Sequence, residues 1–151
     1  MNVVSVTGND TVIINGRIFN DFSTGDVAKL EYGTDIMVAK PGKNGNTIYS
    51  LNAAGELVSF EIRLIRGGSD DQFLNNLLTQ MKQNAPGFTL LTGELIKNVG
   101  DGQGNITQDI YNLVGGVFNK NVGAKENVEG DTEQALVTYF MHFALATRTI
   151  G

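Results

Sequence analysis

An alternating strand that runs directly into a single helix is the feature that most constrains how this chain can fold. The segment ELVSFEIRLIR (56–66) carries an apolar residue at every second position, namely Val58, Phe60, Ile62 and Leu64. A period of two is typical of a strand with one buried face. The following segment, GGSDDQFLNNLLTQMKQNAPG (67–87), changes to the period of a helix. The two together predict a sheet with a helix packed against it.

The helix is predicted from Ser69 to Asn84. Its packing face follows the i, i+3, i+4, i+7 spacing of an amphipathic stripe and consists of Leu74, Leu77, Leu78 and Met81. Ser69 is the predicted N-cap, and Gln72 three positions later completes a capping box. Pro86 and the glycine after it end the helix.

Most of the remaining chain has the pattern of strands and turns. Asn15-Gly16 between two apolar runs predicts a tight hairpin with a type I′ turn. Short strands are expected at residues 2–7, 27–32 and 36–39. The polar segment 39–52 is expected to be a loop or a long hairpin tip that returns into a strand at 47–51. Turns are expected at 20–26 and 101–105.

The second half of the chain predicts three longer strands. Residues 88–99 form one, with a bulge near Gly93. Residues 106–118 form a strand, or a pair interrupted at Gly115-Gly116. The segment from Gln134 to Arg148 is compatible with a helix, but its β-branched and aromatic content favours a central strand buried on both faces. The whole pattern predicts a mainly β (α+β) single domain over residues 1–151, an antiparallel β-sandwich or barrel of about eight strands with one flanking helix.

The composition fits one core and little surface charge. A chain of 151 residues with 41% hydrophobic residues can bury one core. Cysteine is absent, which excludes disulfides and thiolate ligands. Charged residues make up 18%, below the usual value of about 25%, and there are 19 glycines. The net charge of −5 argues against a dedicated nucleic-acid binder. No signal peptide or apolar run of roughly 18 residues is present, so a soluble protein made in the cytoplasm is expected.

The residue types that carry chemistry do not form a recognisable site. His142 is the sole histidine and is expected to pack within a strand. The loops at 40–47 and 100–105 contain glycines but lack the order of a phosphate-binding or calcium loop. The acidic residues at 126–133, namely Glu126, Glu129, Asp131 and Glu133, are expected to form a solvated loop. We therefore expect no catalytic residue, no cofactor and no metal.

Three phrases of the sequence resemble a known family. They are TVIINGRIFNDFSTGDVAKLEYG (11–33), GKNGNTIYSLN (42–52) and VSFEIRLIRGGSDDQFLNNLL (58–78). This order of hairpin, turn, long loop and strand leading into a capped helix resembles the tail tube proteins of contractile-tailed (myovirus-type) bacteriophages and the related R-type bacteriocin tubes. The resemblance spans roughly residues 11–148 and includes no catalytic signature.

The resemblance implies a structural role. Six copies would form a ring whose sheets join into an inner barrel, and stacked rings would form the hollow tube through which DNA passes without specific binding. Sheath, baseplate and tape-measure proteins are the implied partners, with the virion as the location after assembly in the host cytoplasm and no membrane association. The helix face would then cover one side of the sheet.

Two further expectations depend on this resemblance. The segment containing Lys40, Lys43, Asn44 and Asn46 is expected to contact the next subunit or ring, with an ordinary surface loop as the alternative. The lumen is expected to be lined by polar and acidic side chains, which repel DNA. A lectin-like or receptor-binding β-sandwich remains the alternative class, and a secretion-tube ring, a baseplate component or a tail-completion component is the alternative within the same architecture.

Overall fold

The computed structural model of the chain describes residues 5–7, 10–22, 28–52, 57–124 and 135–151. Within these ranges the chain forms eleven strands and one helix. The strands are β1 (Val6–Thr7), β2 (Thr11–Ile14), β3 (Arg17–Ile18), β4 (Ala28–Tyr32), β5 (Met37–Pro41), β6 (Thr47–Leu51), β7 (Val58–Ile65), β8 (Leu91–Gly100), β9 (Ile106–Phe118), β10 (Gly123–Ala124) and β11 (Leu136–Ile150), and the helix is α1 (Ser69–Gln83). The predicted fold class, mainly β with one flanking helix, is confirmed. The strand count exceeds the prediction because three strands are only two residues long.

Several predicted segments lie wholly or partly outside the described residues. They are the start of the first strand (2–4), part of the turn at 20–26, and the acidic segment 126–133. Among the described residues, the Asn15-Gly16 hairpin is confirmed: β2 pairs with β3, and both turn residues have the positive φ that a type I′ turn requires, 52° and 79°.

Nine strands form one antiparallel sheet in the order β3-β2-β8-β9-β11-β7-β4, with β1 beside β8 and β10 beside β11. After β3, which is at one end of this order, the chain contacts β7 near the other end. Phe22 forms a β-bridge with Leu64, and the Ile65 N–H donates to the Asp21 carbonyl at 2.9 Å. The sheet is therefore curled so that its first and last strands come close together. β5 and β6 form a separate two-stranded sheet.

The core is built by alternation along the two central strands β7 and β11. Their buried side chains are Val58, Phe60, Ile62 and Leu64 from β7, and Val137, Tyr139, Met141 and Phe143 from β11. Opposed positions of the two strands share one face, so Tyr139 stands beside Ile62 and Met141 beside Phe60. The predicted alternation of segment 56–66 is confirmed, since the four alternating apolar positions 58, 60, 62 and 64 are at most 1% exposed.

A bend crosses the sheet at Gly115 and Gly116. In β11 the buried residues have odd numbers as far as Phe143, but the next buried residue is Ala146, so the buried face changes. The same change occurs in β9, where both Leu113 and Gly116 are buried. Gly115 has a φ of 69°, and a Cβ on Gly116 would lie 2.4 Å from a ring carbon of Phe143. Glycines and bulges let strands pass from one layer to another. The predicted interruption is therefore a bend within one continuous strand.

The neighbouring strand bends at the same level. The register of β8 against β9 shifts between Leu91 and Gly93, which confirms the predicted bulge, and Leu91 pairs with Gly116. Gly116 in turn pairs with Phe143 of β11. The three irregular positions line up and divide the sheet into two halves with differently oriented outer faces.

The helix begins as predicted, but its predicted cap is wrong. Ser69 is the first helical residue rather than the N-cap; Gly68 holds that position and makes no side-chain cap. The Asp21 carboxylate accepts hydrogen bonds from the Ser69 hydroxyl at 3.1 Å and the Asp70 N–H at 3.3 Å. A carboxylate distant in sequence thus replaces the predicted local box, and Gln72 instead donates to the Gly67 carbonyl at 3.5 Å.

The packing face of α1 points into the core at its centre. Leu74 and Leu78 are buried, while Leu77 and Met81 are partly buried against the core. The helix ends at Gln83, and the Asn84 N–H donates to the Gln80 carbonyl. The helix therefore closes one side of the core, as its apolar stripe indicates.

The strand prediction for the segment 134–148 is confirmed, but its burial was predicted incorrectly. β11 is central, between β9 and β7, yet only one of its faces is buried. Thr138, Phe140 and His142 on the other face are only partly buried, and Ala144 is exposed. In the single chain, part of the aromatic surface of β11 therefore lies outside the core and stays partly exposed.

Candidate assembly surfaces

The most exposed apolar element is a hairpin that stands apart from the main sheet. We call residues 36–52, which comprise β5, β6 and their turn, the hairpin arm. All ten of its strand residues are exposed, and the strands pair only with each other. At its base the Asn52 N–H donates to the Ile36 carbonyl at 2.7 Å. A two-stranded hairpin is only marginally stable on its own in water, so packing against another surface would stabilise this element.

One face of the hairpin arm is almost entirely apolar. The register pairs Met37 with Leu51 and Ala39 with Tyr49, and directly paired residues share a face. Tyr49 is 66% exposed and Leu51 is 76% exposed. Large apolar side chains at such exposure, side by side, mark an interaction surface in a soluble protein.

The four polar residues predicted to contact another subunit all lie on this arm. Lys40 is within β5, Lys43 and Asn44 are in the turn, and Asn46 precedes β6. All four are exposed, and neither lysine forms an ion pair with another described residue. The Gly45 N–H donates to the Gly42 carbonyl at 3.1 Å within the turn. The structure therefore brings the four residues together at the tip of an apolar arm.

The residues that sequence reasoning missed are the apolar ones behind that tip. Met37, Tyr49 and Leu51 fall in the predicted strands at 36–39 and 47–51, but no exposed apolar face was predicted for them. The sequence does contain an indication of a separate hairpin, because two short apolar segments flank the turn Gly-Lys-Asn-Gly. Such a hairpin can form without joining the main sheet.

A second exposed apolar surface lies on the outside of the half-sheet formed by β3, β2, β8, β9 and the end of β11. Ile13 alternates with the buried Val12 and Ile14, so it points outward, and its partners Ile18 and Glu94 share that face. We call this surface the isoleucine face. It comprises Thr11, Ile13, Ile18, Glu94, Ile96, Ile110, Asn112, Val114, Leu145 and Thr147.

The isoleucine face is apolar and almost uncharged. Ile18 is 57% exposed, Val114 43% and Leu145 40%. Glu94 is its single charged residue and forms no ion pair with another described residue. Beside Glu94 lies a depression of about 250 Å³, with Ile13 and Val114 on its walls.

The outside of the other half-sheet has the opposite character. We call it the charged face; its members are Lys29, Glu61, Arg63, Lys120, Thr138 and Phe140, around a depression of about 360 Å³. Lys29 is directly opposite Glu61 and also lies 3.1 Å from Glu31. The Lys120 Nζ lies 5.2 Å from the centre of the Phe140 ring. This face carries three cations and is well suited to contact with water.

A row of alternating charge crosses the sheet where the core ends. Lys97 contacts Asp10 at 3.1 Å, and it is opposite Asp109 in the register of β8 and β9. Arg148 binds both carboxylate oxygens of Asp109, each at 2.8 Å. Hydrogen bonds from that guanidinium lower the pKa of Asp109. The row fixes the register of the strands that extend beyond the core.

A buried carboxylate anchors the helix to the sheet. Asp70 is 2% exposed and accepts hydrogen bonds from Arg17 Nε at 3.0 Å, the Asn20 N–H at 2.8 Å and the Asp21 N–H at 2.9 Å. Both carboxylate oxygens of Asp70 thus accept hydrogen bonds from the segment that contains and follows β3. No local sequence pattern predicts this network, because Asp70 lies 53, 50 and 49 residues from its three partners.

The neighbouring residue of the helix forms a second anchor. The Tyr139 hydroxyl donates to the Asp71 carboxylate and lies 3.1 Å from the Asp71 carbonyl oxygen. Burial, reinforced by this carboxylate, raises the pKa of Tyr139 well above its ordinary value. The phenol therefore remains protonated in the folded protein and serves as a donor that fixes α1 on β11.

The sole histidine is partly buried on the outer side of β11, where it is opposite Ser59 and Val117. No group of three or more metal-ligating side chains occurs among the described residues. In that same part of the chain, no helix is both long enough and apolar enough to cross a membrane. Comparison of the chain with protein-family models gives no match, and comparison with curated proteins gives none either.

Proposed function

We propose that this chain is a structural subunit that assembles with copies of itself into the hollow tube of a phage-type tail. The observation that carries the proposal is the hairpin arm, whose apolar face the same chain leaves exposed. Its ten exposed strand residues include Met37, Val38, Ile48, Tyr49 and Leu51. Exposing such a surface to water is unfavourable, and a partner that covers it removes that cost.

The open edges of the sheet support the same proposal. β3 and β4 are the terminal strands of the sheet order, and among the described strands each of them pairs with one neighbour. Soluble proteins blunt or cover such edges unless the edges pair with another chain. An arm and an open edge on one subunit suit a ring in which each copy completes its neighbour.

The resemblance to tail tube proteins gives the proposal its particular form. Rings of six copies stack into a tube, sheath, baseplate and tape-measure proteins bind it, and DNA passes through the lumen inside the virion. We expect a lumen lined by polar and acidic side chains, consistent with the net charge of −5. A density map of the tube showing an electropositive channel would contradict that expectation.

The test is assembly of the purified protein. Light scattering after size exclusion, followed by negative-stain microscopy at high concentration, should show rings or tubes. Deleting residues 42–45 should leave a folded monomer that no longer polymerises, because the deletion removes the tip of the hairpin arm. Circular dichroism and thermal melting establish that the variant is folded.

Two results would oppose the proposal. Normal tubes from the deletion variant would show that the arm is not required for assembly. A wild-type chain that stays monomeric when concentrated would remove the tube role, and glycan binding by that monomer would favour the lectin-like alternative.

A further inference from the structure

We propose that the apolar face of the hairpin arm packs on the isoleucine face of another copy of the chain. This inference rests on the proposed function, since it names the surface that receives the arm within the assembly. It concerns two surfaces that are both apolar and both exposed in the single chain, with Tyr49 on one and Val114 on the other. When the two surfaces pack together, each one covers apolar area of the other that is exposed to water in the single chain.

The shapes of the two surfaces are compatible. The arm presents protruding side chains, of which Tyr49 and Leu51 are the most exposed. The isoleucine face has a depression of about 250 Å³ above Gly93, bordered by Ile13 and Val114. In the proposed contact, a large side chain of the arm fills this hollow.

Charge selects this face over the charged face. The turn of the arm carries Lys43, whereas Glu94 is the single charge on the isoleucine face. The charged face would instead meet the arm with an excess of positive charge, since its three cations, Lys29, Arg63 and Lys120, outnumber its two carboxylates, Glu31 and Glu61. Opposite charges across a contact guide association, and like charges oppose it.

The contact joins two different surfaces, so it is heterologous. Such a contact leaves one arm and one isoleucine face free at the ends of every chain of copies, and it continues into a closed ring or a filament. An arm packed on an arm would instead stop at a dimer. The geometry therefore predicts polymers of many copies.

Cysteine cross-linking tests the pairing directly, because the natural chain has no cysteine. Ala39 is exposed on the apolar face of the arm opposite Tyr49, and Val114 is exposed on the isoleucine face. Under mild oxidation the double variant Ala39→Cys with Val114→Cys should give a ladder of dimers, trimers and larger species that a reducing agent removes. The single variants should give no ladder beyond a dimer.

The rival pairing is tested in parallel with Ala39→Cys and Thr138→Cys, which places the second thiol on the charged face. A ladder from this variant, or only dimers from every variant that carries Ala39→Cys, would overturn the inference. In either case wild-type tubes would leave the proposed function standing. A wild-type chain that forms no assembly would overturn both.

A charge exchange gives an independent measurement. Lys43→Glu and Glu94→Lys should each raise the concentration needed for assembly by about tenfold or more, and the two together should restore it. Lys82→Glu, an exposed cation on α1, is the matched control and should change little. Single variants that assemble normally, or a double variant as defective as the singles, would overturn the pairing of these two residues.

Discussion

At the scale of single residues, the fold depends on a few side chains and on one missing side chain. Gly116 has no room for a Cβ because the Phe143 ring occupies the space. Asp70 and Tyr139 satisfy polar groups where the helix meets the sheet. Each position makes a specific physical demand, and each can be tested by one substitution.

Gly116→Ala should destabilise the protein. The added methyl group would lie 2.4 Å from the Phe143 ring and 3.0 Å from the Leu91 Cβ, so ring and backbone must shift. Overpacking of this kind costs about 1–3 kcal/mol. Urea unfolding measures the loss. Gly33→Ala, which meets no atom within 4 Å, is the control and should change stability little.

Stability should fall at alkaline pH through Tyr139. Its raised pKa means that the folded chain retains the phenol proton while the unfolded chain releases it near pH 10. The contribution is therefore complete below about pH 10 and decreases above it. Urea midpoints across this range should decline less steeply for Tyr139→Phe than for the natural chain.

A spectroscopic measurement accompanies this prediction. Tyrosinate absorbance of the folded protein should show one of the four tyrosines titrating only when the chain unfolds. If all four titrate reversibly in the folded state, the hydroxyl of Tyr139 is not held as described.

At the scale of elements, the helix owes its position to carboxylates from both sides of the contact. Asp21, which follows β3, caps the first turn, and Asp70 on α1 receives Arg17 from β3. The helix and the first hairpin therefore stabilise each other. Neither contact is local, which distinguishes this helix from one held by its own capping box.

Asp70→Asn should cost about 2–3 kcal/mol, because the amide cannot accept all three hydrogen bonds and brings its own donor close to others. Asp35→Asn, at an exposed position, is the control. Chemical denaturation gives both values. Equal stabilities would show that the Arg17 contact and the two backbone bonds add nothing to the free energy of unfolding.

The hydrophobic periodicity predicted the secondary-structure elements better than it predicted the contacts between them. The alternation in β7 and the apolar stripe of α1 arise from neighbours along the chain, so the sequence alone was sufficient to place them. The Asp21 cap depends on a contact between distant segments, which no local pattern encodes. At Gly115-Gly116 the glycine pair predicted an irregularity, but not that one strand continues through it. The arm was partly anticipated: its polar tip was selected, but its apolar strands were not, because exposure cannot be read from hydrophobicity.

At the scale of the whole molecule, the chain consists of a packed body and a hairpin arm that extends from it. The body has its own core, with Leu64, Leu74 and Met141 fully buried. The arm contributes no residue to that core. The core and the exposed apolar arm therefore lie in different parts of one chain.

Limited digestion with trypsin should expose this division. In the monomer the first cut is expected after Lys43, in the exposed turn of the arm, since cleavage after Lys40 is hindered by the following proline. Assembled protein should resist that cut because a neighbour covers the arm. Mass spectrometry of the first fragments identifies the site, and an equal cutting rate in monomer and polymer would mean that the arm remains free.

The separate pairing of β5 with β6 has a consequence for how such a chain can change over time. Substitutions in the arm should leave the free energy of unfolding of the monomer nearly unchanged. In the proposed assembly, substitutions in the core should likewise leave the affinity between copies nearly unchanged. In the proposed assembly, the stability of the subunit and the affinity between subunits can therefore change independently of each other.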